Sequence, residues 1–276
     1  MSLTVEAMDQ RAKAHLFRRL HSGPDILVLP NAWDAISARI VEVEGFPAAA
    51  TGSAGVAAVL GYPDGERIPR SEMMFMVARM AAAVNVPLTA DVEAGYGDPA
   101  GTAREVIAAG AVGMNLEDMV DHDLVPLPEQ LDKIRAVKAA AAASGVGLVL
   151  NARTDIFLVK HGDEATRFDR TVERLNAFHD AGADCLFAPG VVDAETIGRL
   201  AEKVKGPLNI LAGIGTPAIS ELQRLGVRRL SLGSGTQRVI LGALQRFARR
   251  IRDEGTLTPL ATDAMSYAEV QKLLSR

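Results

Sequence analysis

Eight times along this chain a short apolar run, closing near Gly, Asn, Asp or Ser, is followed by a longer segment with helical periodicity. The runs occupy 26–29, 48–51, 86–90, 112–116, 147–150, 184–187, 207–211 and 229–232, and the helical segments 35–44, 70–84, 99–109, 128–144, 163–181, 194–204, 217–225 and 236–252. Strands with no polar face, joined by helices, belong in a parallel sheet covered on its outside. Eight such units allow the sheet to close, so the expected fold is an α/β protein of the TIM-barrel type, a (β/α)8 barrel. At 276 residues the chain has the length of one such barrel, which commonly needs about 250. Small-residue turns at Gly45, Gly110, Gly145, Gly182 and Gly226 mark the helix ends.

Residues 1–252 are thus read as the barrel and 253–276 as a C-terminal helical extension. A short amphipathic helix beginning near Tyr267 must bury Met265, Val270, Leu273 and Leu274, either on its own barrel or on a neighbouring subunit. A homo-oligomer, dimer or tetramer, is expected on that ground.

A formal net charge of −4 and a pI near 5.8 give no basic field for nucleic acid or an anionic membrane. No stretch approaches the roughly 20 apolar residues of a membrane span, and residues 1–20 read as a charged amphipathic helix rather than a signal peptide. A soluble, cytoplasmic protein with a small-molecule partner is expected. The lone Cys185 lies in an apolar run and reads as a buried, inert thiol.

In such barrels the working groups stand at the carboxyl ends of the strands. Here those ends read Pro30-Asn31-Ala32-Trp33-Asp34, Thr51-Gly52-Ser53-Ala54-Gly55, Asp91-Val92-Glu93, Asn115-Leu116-Glu117-Asp118 and Asn151-Ala152-Arg153-Thr154-Asp155. The opposite rim shows nothing comparable. Asp91 and Glu93 are two apart on an extended segment and so share a face, and Glu117 can reach the same spot from the next strand. Three carboxylates without His or Cys call for a hard cation, Mg2+ or Mn2+ in its place, with one ligand direct and two through water. The other reading is rim carboxylates paired to Arg or capping helices. Arg153 can hold a substrate carboxylate or steady an oxyanion, or it can form a salt bridge to Glu117 or Asp155. The Ser53-Ala54-Gly55 turn offers backbone N–H groups to an anion. Asp64, in Pro63-Asp64-Gly65, has the composition of an ordinary turn. His122, between two Asp, is either a loop acid or a solvated histidine.

Together the strings PNAWDA, TGSAGVAAVLGYPDG, TADVEAGYGDP, GMNLEDM and NARTD resemble the isocitrate lyase and phosphoenolpyruvate mutase superfamily. That resemblance implies a barrel whose last helix is often exchanged between subunits, and Mg2+ chelated by an α-oxo carboxylate or its enolate. It implies metal-site acids at Asp91, Glu93 and Glu117, and a substrate-carboxylate turn at Ser53, Ala54 and Gly55. It further implies a substrate-binding Arg153 and an active-site Asp64. Trp33 and Asn115 join the expected substrate contacts, and Asn209 is an approximate match to a polar residue on strand 7. The lyases' Lys-x-Cys-Gly-His loop is replaced here by MVDHDLVPLPEQ. Isocitrate and methylisocitrate cleavage are therefore not expected, and phosphorus–carbon chemistry, which also uses a lysine-bearing loop, stays as an alternative. The expected reaction is Mg2+-dependent carbon–carbon cleavage or decarboxylation of a small α-keto or α-hydroxy acid, like that of oxaloacetate decarboxylases. A noncatalytic carboxylate-binding barrel is the remaining alternative.

Overall fold

A computed structural model describes residues 8–121 and 123–275. Helix α1 (Gln10–Leu20) precedes β1 (Leu27–Leu29) and β2 (Asn31–Ala32), two pieces of one strand interrupted at Pro30. There follow α2 (Ala35–Val43), β3 (Ala49–Thr51), α3 (Ser53–Val59), α4 (Arg70–Ala83), β4 (Leu88–Asp91), α5 (Pro99–Ala108) and β5 (Gly113–Glu117). A hairpin of β6 (Met119–Val120) and β7 (Asp123–Leu124) leads to α6 (Leu127–Ser144), β8 (Val149–Arg153), α7 (Glu164–Asp180), β9 (Cys185–Phe187) and α8 (Ala194–Lys203). The chain ends with β10 (Leu208–Leu211), α9 (Ile219–Arg224), β11 (Arg229–Ser231), α10 (Gly235–Glu254), α11 (Thr258–Thr262) and α12 (Tyr267–Leu274).

All neighbours in the main sheet pair in parallel, in the order β1-β11-β10-β9-β8-β5-β4-β3-β2. Because β1 pairs with β11 while β2, its continuation, pairs with β3, the sheet closes on itself as the (β/α)8 barrel expected from the repeat. Outward residues such as Leu88, Ala90, Met114, Leu116, Leu150 and Ile210 pack under the helices in the main core.

The floor of the barrel is plugged by α1. Phe17 and Ala14 sit with Leu27, Leu29, Ala48, Ala50, Val112 and Val149 in a second core. Gly113 makes this possible, since a Cβ there would lie 2.6 Å from the Phe17 ring. Helix α1 also answers carbonyls at the helix ends and turns that lead into the strands: Gln10 donates to Ile107 and Ala111, Lys13 to Val84, and Arg18 to Gly147.

His21 closes this floor. It is 3 % exposed, and its Nδ1–H donates to the Phe17 carbonyl at 2.8 Å. Burial, reinforced by the Arg229 charge, pushes its pKa down from 6.5 to about 4. The native state therefore holds this imidazole neutral. The associated stability is present in full above pH 6.5 and is lost as pH falls toward 4, about 3 kcal/mol in all. Urea unfolding across that window should show a steeper loss for the wild type than for His21→Asn, which keeps a donor but cannot titrate. Parallel curves for the two proteins would show that His21 makes no such contribution.

The terminal helix α12 packs on α2 of its own chain, where Leu273 is buried and its carbonyl accepts from Arg39 Nε at 2.9 Å. Met265 and Leu274 stay exposed. Helix α10 behaves unlike the other barrel helices, burying only Gln237 while Val239, Ile240, Leu241, Leu244 and Ile251 face outward. No described helix is long and apolar enough to cross a membrane.

Candidate active site

Alternation along the strands stacks polar side chains inside the barrel above its apolar floor. From β4 come Thr89 and Asp91, from β5 Asn115 and Glu117, from β8 Asn151 and Arg153, and from β11 Arg229 and Ser231. Asp91, Asn115 and Arg153 meet Asn31, Ser53, Ala54 and Asp64 around a cavity of about 220 Å³. Leu158, Phe187 and Leu211 form its apolar wall. A second cavity of about 450 Å³ adjoins it through Asp64 and is lined by Glu66, Arg67, Glu93, Glu117 and the β6 residues Met119 and Val120.

Asp91 is held from two sides. One carboxylate oxygen accepts from the Ser53 backbone N–H and hydroxyl at 3.0 and 2.9 Å, and the other accepts from Asn115 Nδ2 at 3.1 Å. Arg153 lies between two acids: its Nη1 is 2.7 Å from Glu117, and its Nε and Nη2 clamp Asp155 at 2.6 and 3.0 Å. Both salt bridges considered from the sequence are therefore present. The guanidinium also stacks 5.8 Å from the Phe187 ring centre.

Glu93 departs from the sequence-based geometry. Strand β4 ends at Asp91, and Glu93 lies in a tight turn at φ 52°, so strand alternation is not what brings the two acids together. A clamp from the loop after α3 places it instead. The Glu66 N–H donates to Glu93 Oε2 at 2.8 Å, and the Glu66 carboxylate accepts from the Tyr96 N–H at 2.7 Å. Glu66, Tyr96 and Asp121 also have positive φ, at 57°, 55° and 49°, so left-handed non-glycine residues are concentrated at this rim. Such strain persists where surrounding contacts over-determine it, and it clusters at working sites.

The acids outnumber their partners. Burial, with the Asp64 and Asp91 charges, pushes the Glu93 pKa up to about 8, and Glu93 Oε1 is buried with no hydrogen-bond partner. Burial and Asp91 raise Asp64 as well. Glu117 stands well above the usual carboxylate range because its burial outweighs the attraction of Arg153. For Arg153 the balance reverses: Glu117 and Asp155 overcome its burial and hold it charged. Negative charge packed this densely in a cleft is what a divalent cation relieves. Among the described residues no three His, Cys, Asp or Glu side chains converge closely enough to ligate an ion directly. An ion here would keep several of its waters, as Mg2+ does.

A family model described as phosphoenolpyruvate phosphomutase matches residues 17–252. The chain belongs to the isocitrate lyase and phosphoenolpyruvate mutase superfamily. It is 30% identical over 282 residues to oxaloacetate decarboxylase of Bradyrhizobium sp. (strain BTAi1 / ATCC BAA-1182), covering 98% of this chain and 94% of that one. It is 29% identical over 289 residues to 2-methylisocitrate lyase of Halalkalibacterium halodurans, covering 99% and 93%. Among solved structures, oxaloacetate acetylhydrolase in complex with the product oxalate superposes with a TM-score of 0.85 at 27% identity, covering 97% of this chain and 95% of that one. These relatives are enzymes of the superfamily, both lyases and hydrolases.

Of the positions that carry the superfamily resemblance, Ser53, Ala54, Asp64, Asp91, Asn115 and Arg153 line the smaller cavity, and Asp64, Glu93 and Glu117 line the larger. Three others lie outside the lining. Gly55 is packed against Trp33, whose Cβ would be 3.1 Å from an added methyl, and Trp33 donates its backbone N–H to Ser37. Asn209 is buried and spends its amide on Ser231, which does line the cavity. His122 lies outside the described residues. The loop that in the superfamily's lyases bears the cysteine is here the β6–β7 hairpin, anchored by buried Asp118, which pairs with Arg174 at 2.8 Å and accepts from the Asp155 N–H. Cys185 is fully buried, its pKa pushed up to about 12 by burial, and it takes no part in the cavity.

Sequence reasoning missed Glu66, Leu158, Leu211, Ser231 and the Gly233-Ser234 turn as site residues. A Gly at 190 carried a usable signal for Leu158. Its φ is 90° and a Cβ there would sit 2.6 Å from the Leu158 backbone, so only glycine lets that loop approach the cavity.

Proposed function

We propose that this protein is a Mg2+-dependent carbon–carbon lyase that cleaves or decarboxylates a small α-keto or α-hydroxy carboxylate by way of an enolate. The observation that carries the reading is the buried, unpartnered Glu93 oxygen among Asp64, Asp91 and Glu117, beside the guanidinium of Arg153. Asp91, Glu93 and Glu117 would hold Mg2+, or Mn2+ in its place, and the bound ion supplies a Lewis-acid charge that makes an enolate easier to form.

The remaining work falls to the chain's own groups. Arg153 has five N–H donors, of which three engage Asp155 and Glu117. Its two remaining N–H groups can bind the substrate carboxylate or the enolate oxygen. Asn115 Nδ2 has a second hydrogen for the same purpose, and Ala54 presents an N–H in the first turn of α3. Fixed donors aimed at developing charge are worth several kcal/mol. Leu158, Phe187 and Leu211 exclude water from the reacting carbon. Asp64, which lines both cavities, is placed to deliver a proton to the enolate.

The deciding experiment is a coupled assay on EDTA-treated protein, with and without Mg2+, following pyruvate from oxaloacetate, alkylmalates, methylisocitrate and phosphonopyruvate, and glyoxylate from isocitrate. Metal-dependent pyruvate or glyoxylate release from a carbon acid supports the reading and names the substrate. Phosphate released together with pyruvate from phosphonopyruvate would move the assignment to phosphorus–carbon chemistry. No turnover and no Mg2+-dependent oxalate binding would sink it. A homo-oligomer belongs to the same proposal, since α10 leaves Val239, Ile240, Leu244 and Ile251 uncovered on one chain. A monomeric mass by light scattering would remove that part.

A further inference from the structure

Beneath the acid cluster lies a cation that the proposed chemistry does not use. Arg229 projects inward from β11 and is fully buried. Strand β5 lies four strands away in either direction around the closed sheet, counting β1 and β2 as one. The side chain crosses the barrel, and its Nη2 donates to Asn115 Oδ1 at 3.3 Å. Its Nε and Nη1 have no hydrogen-bond partner, its guanidinium is 5.9 Å from the Phe17 ring centre, and no carboxylate among the described residues is within ion-pair distance. A methionine would fill this length without the desolvation penalty of a buried charge. Packing alone therefore does not account for an arginine.

The contacts of Asn115 supply a reason. Its Oδ1 also accepts from Asn151 Nδ2 at 2.8 Å, while its Nδ2 donates to Asp91 at 3.1 Å and faces the cavity. Asn151 cannot by itself fix this orientation. Its own Oδ1 is unpartnered, so both amides could turn over together and keep a hydrogen bond between them. Arg229 cannot take part in such a flip, because a guanidinium only donates. Turned over, Asn115 would point its N–H groups at Arg229 and its oxygen at Asp91 and the ligand.

We propose that Arg229 is a positioning residue for the anionic ligand: it holds the Asn115 amide oxygen inside the barrel, so that the amide N–H groups face Asp91 and the substrate. When Asp91 is engaged by a cation, Arg229 still enforces this orientation. The inference rests on the reading of the cavity as a carboxylate site.

The test is calorimetric titration of oxalate into the Mg2+-loaded protein. Arg229→Met is expected to weaken oxalate by about tenfold, the loss of one well-made hydrogen bond to a charged group. Arg229→Lys, also donor-only, should recover most of that. Arg229→Gln keeps polar bulk but can flip with the two asparagines, so it should bind as weakly as the methionine variant. It serves if the methionine variant does not fold. In an Asn115→Ala background the Arg229 substitutions should have no further effect, which a merely structural role would not produce. Wild-type oxalate affinity in Arg229→Met or Arg229→Gln would overturn the inference alone, as would an equal loss in the Asn115→Ala background. Absence of oxalate binding by the wild type itself would overturn the underlying reading as well.

Discussion

Asp91→Asn is expected to lower kcat/KM by about a thousandfold or more while leaving the fold as stable as before. A thousandfold corresponds to about 4 kcal/mol of transition-state stabilisation, the scale on which charge at a reacting centre acts. Stability is set by two opposing effects. An asparagine oxygen can still accept from Ser53, but its NH2 would face the Asn115 NH2 across what is now a 3.1 Å hydrogen bond. That mismatch costs about 1–3 kcal/mol. It is offset because Asp91 is among the charges that raise Glu93 to about 8 and Asp64 above its usual range. A carboxyl whose folded pKa is raised contributes stability that is complete below its unfolded value near 4.5 and is lost as pH climbs through the folded value. Above the range in which His21 titrates, metal-free wild type should therefore weaken between about pH 6.5 and pH 9, and Asp91→Asn should flatten that slope. Mg2+ should raise the wild-type melting temperature, most at the alkaline end, and leave the variant's nearly unmoved. Retention of both turnover and the Mg2+ response in Asp91→Asn would remove Asp91 from the metal site.

The sequence carried the repeat plainly because each strand is short, apolar and followed by an unbroken helical period. Strand limits shifted by at most three residues, as at β8, where 147–150 became Val149–Arg153. The rim acids were legible for the same reason: Asn115 and Glu117, or Asn151 and Arg153, lie two apart on extended backbone and must share a face. Glu93 reached the right neighbourhood by another route, since its position depends on a left-handed turn and on the Glu66 N–H, neither of which strand periodicity encodes. Arg229 and Ser231 were read as parts of a strand run, and only the closed sheet shows that their side chains enter the barrel opposite Asn115. The C-terminal helix could bury its apolar side on its own barrel or on a neighbour; Leu273 packs on α2 of its own chain, and α10 keeps an apolar side uncovered. Which helix covers which surface depends on how the chain turns after the last strand, and no local pattern fixes that.

Arg153→Met should be the most damaging single substitution for stability, by about 3–5 kcal/mol, because it leaves Glu117 and Asp155 buried without their cation. Burial already raises both carboxyls. Without the guanidinium they would take up protons, and the loss should shrink as pH falls. Lysine at 153 can pair with one acid but cannot clamp Asp155 through two nitrogens while reaching Glu117, so it should fall between the wild type and methionine. A structural role and a ligand-binding role for this arginine are separable. Combining Arg153→Met with Glu117→Gln and Asp155→Asn removes the unpaired charges together and should restore most of the stability, as replacement of a whole buried ion network often does. The restored protein should still fail to bind oxalate in the presence of Mg2+, since both the donor and a metal-site acid are gone. Adding back Glu117 alone is the sharper control: Arg153→Met with Asp155→Asn keeps that acid available to Mg2+. If this double variant binds oxalate as the wild type does, Arg153 serves only to neutralise its neighbours, and the donor for the substrate has to be sought in Asn115 and the first turn of α3.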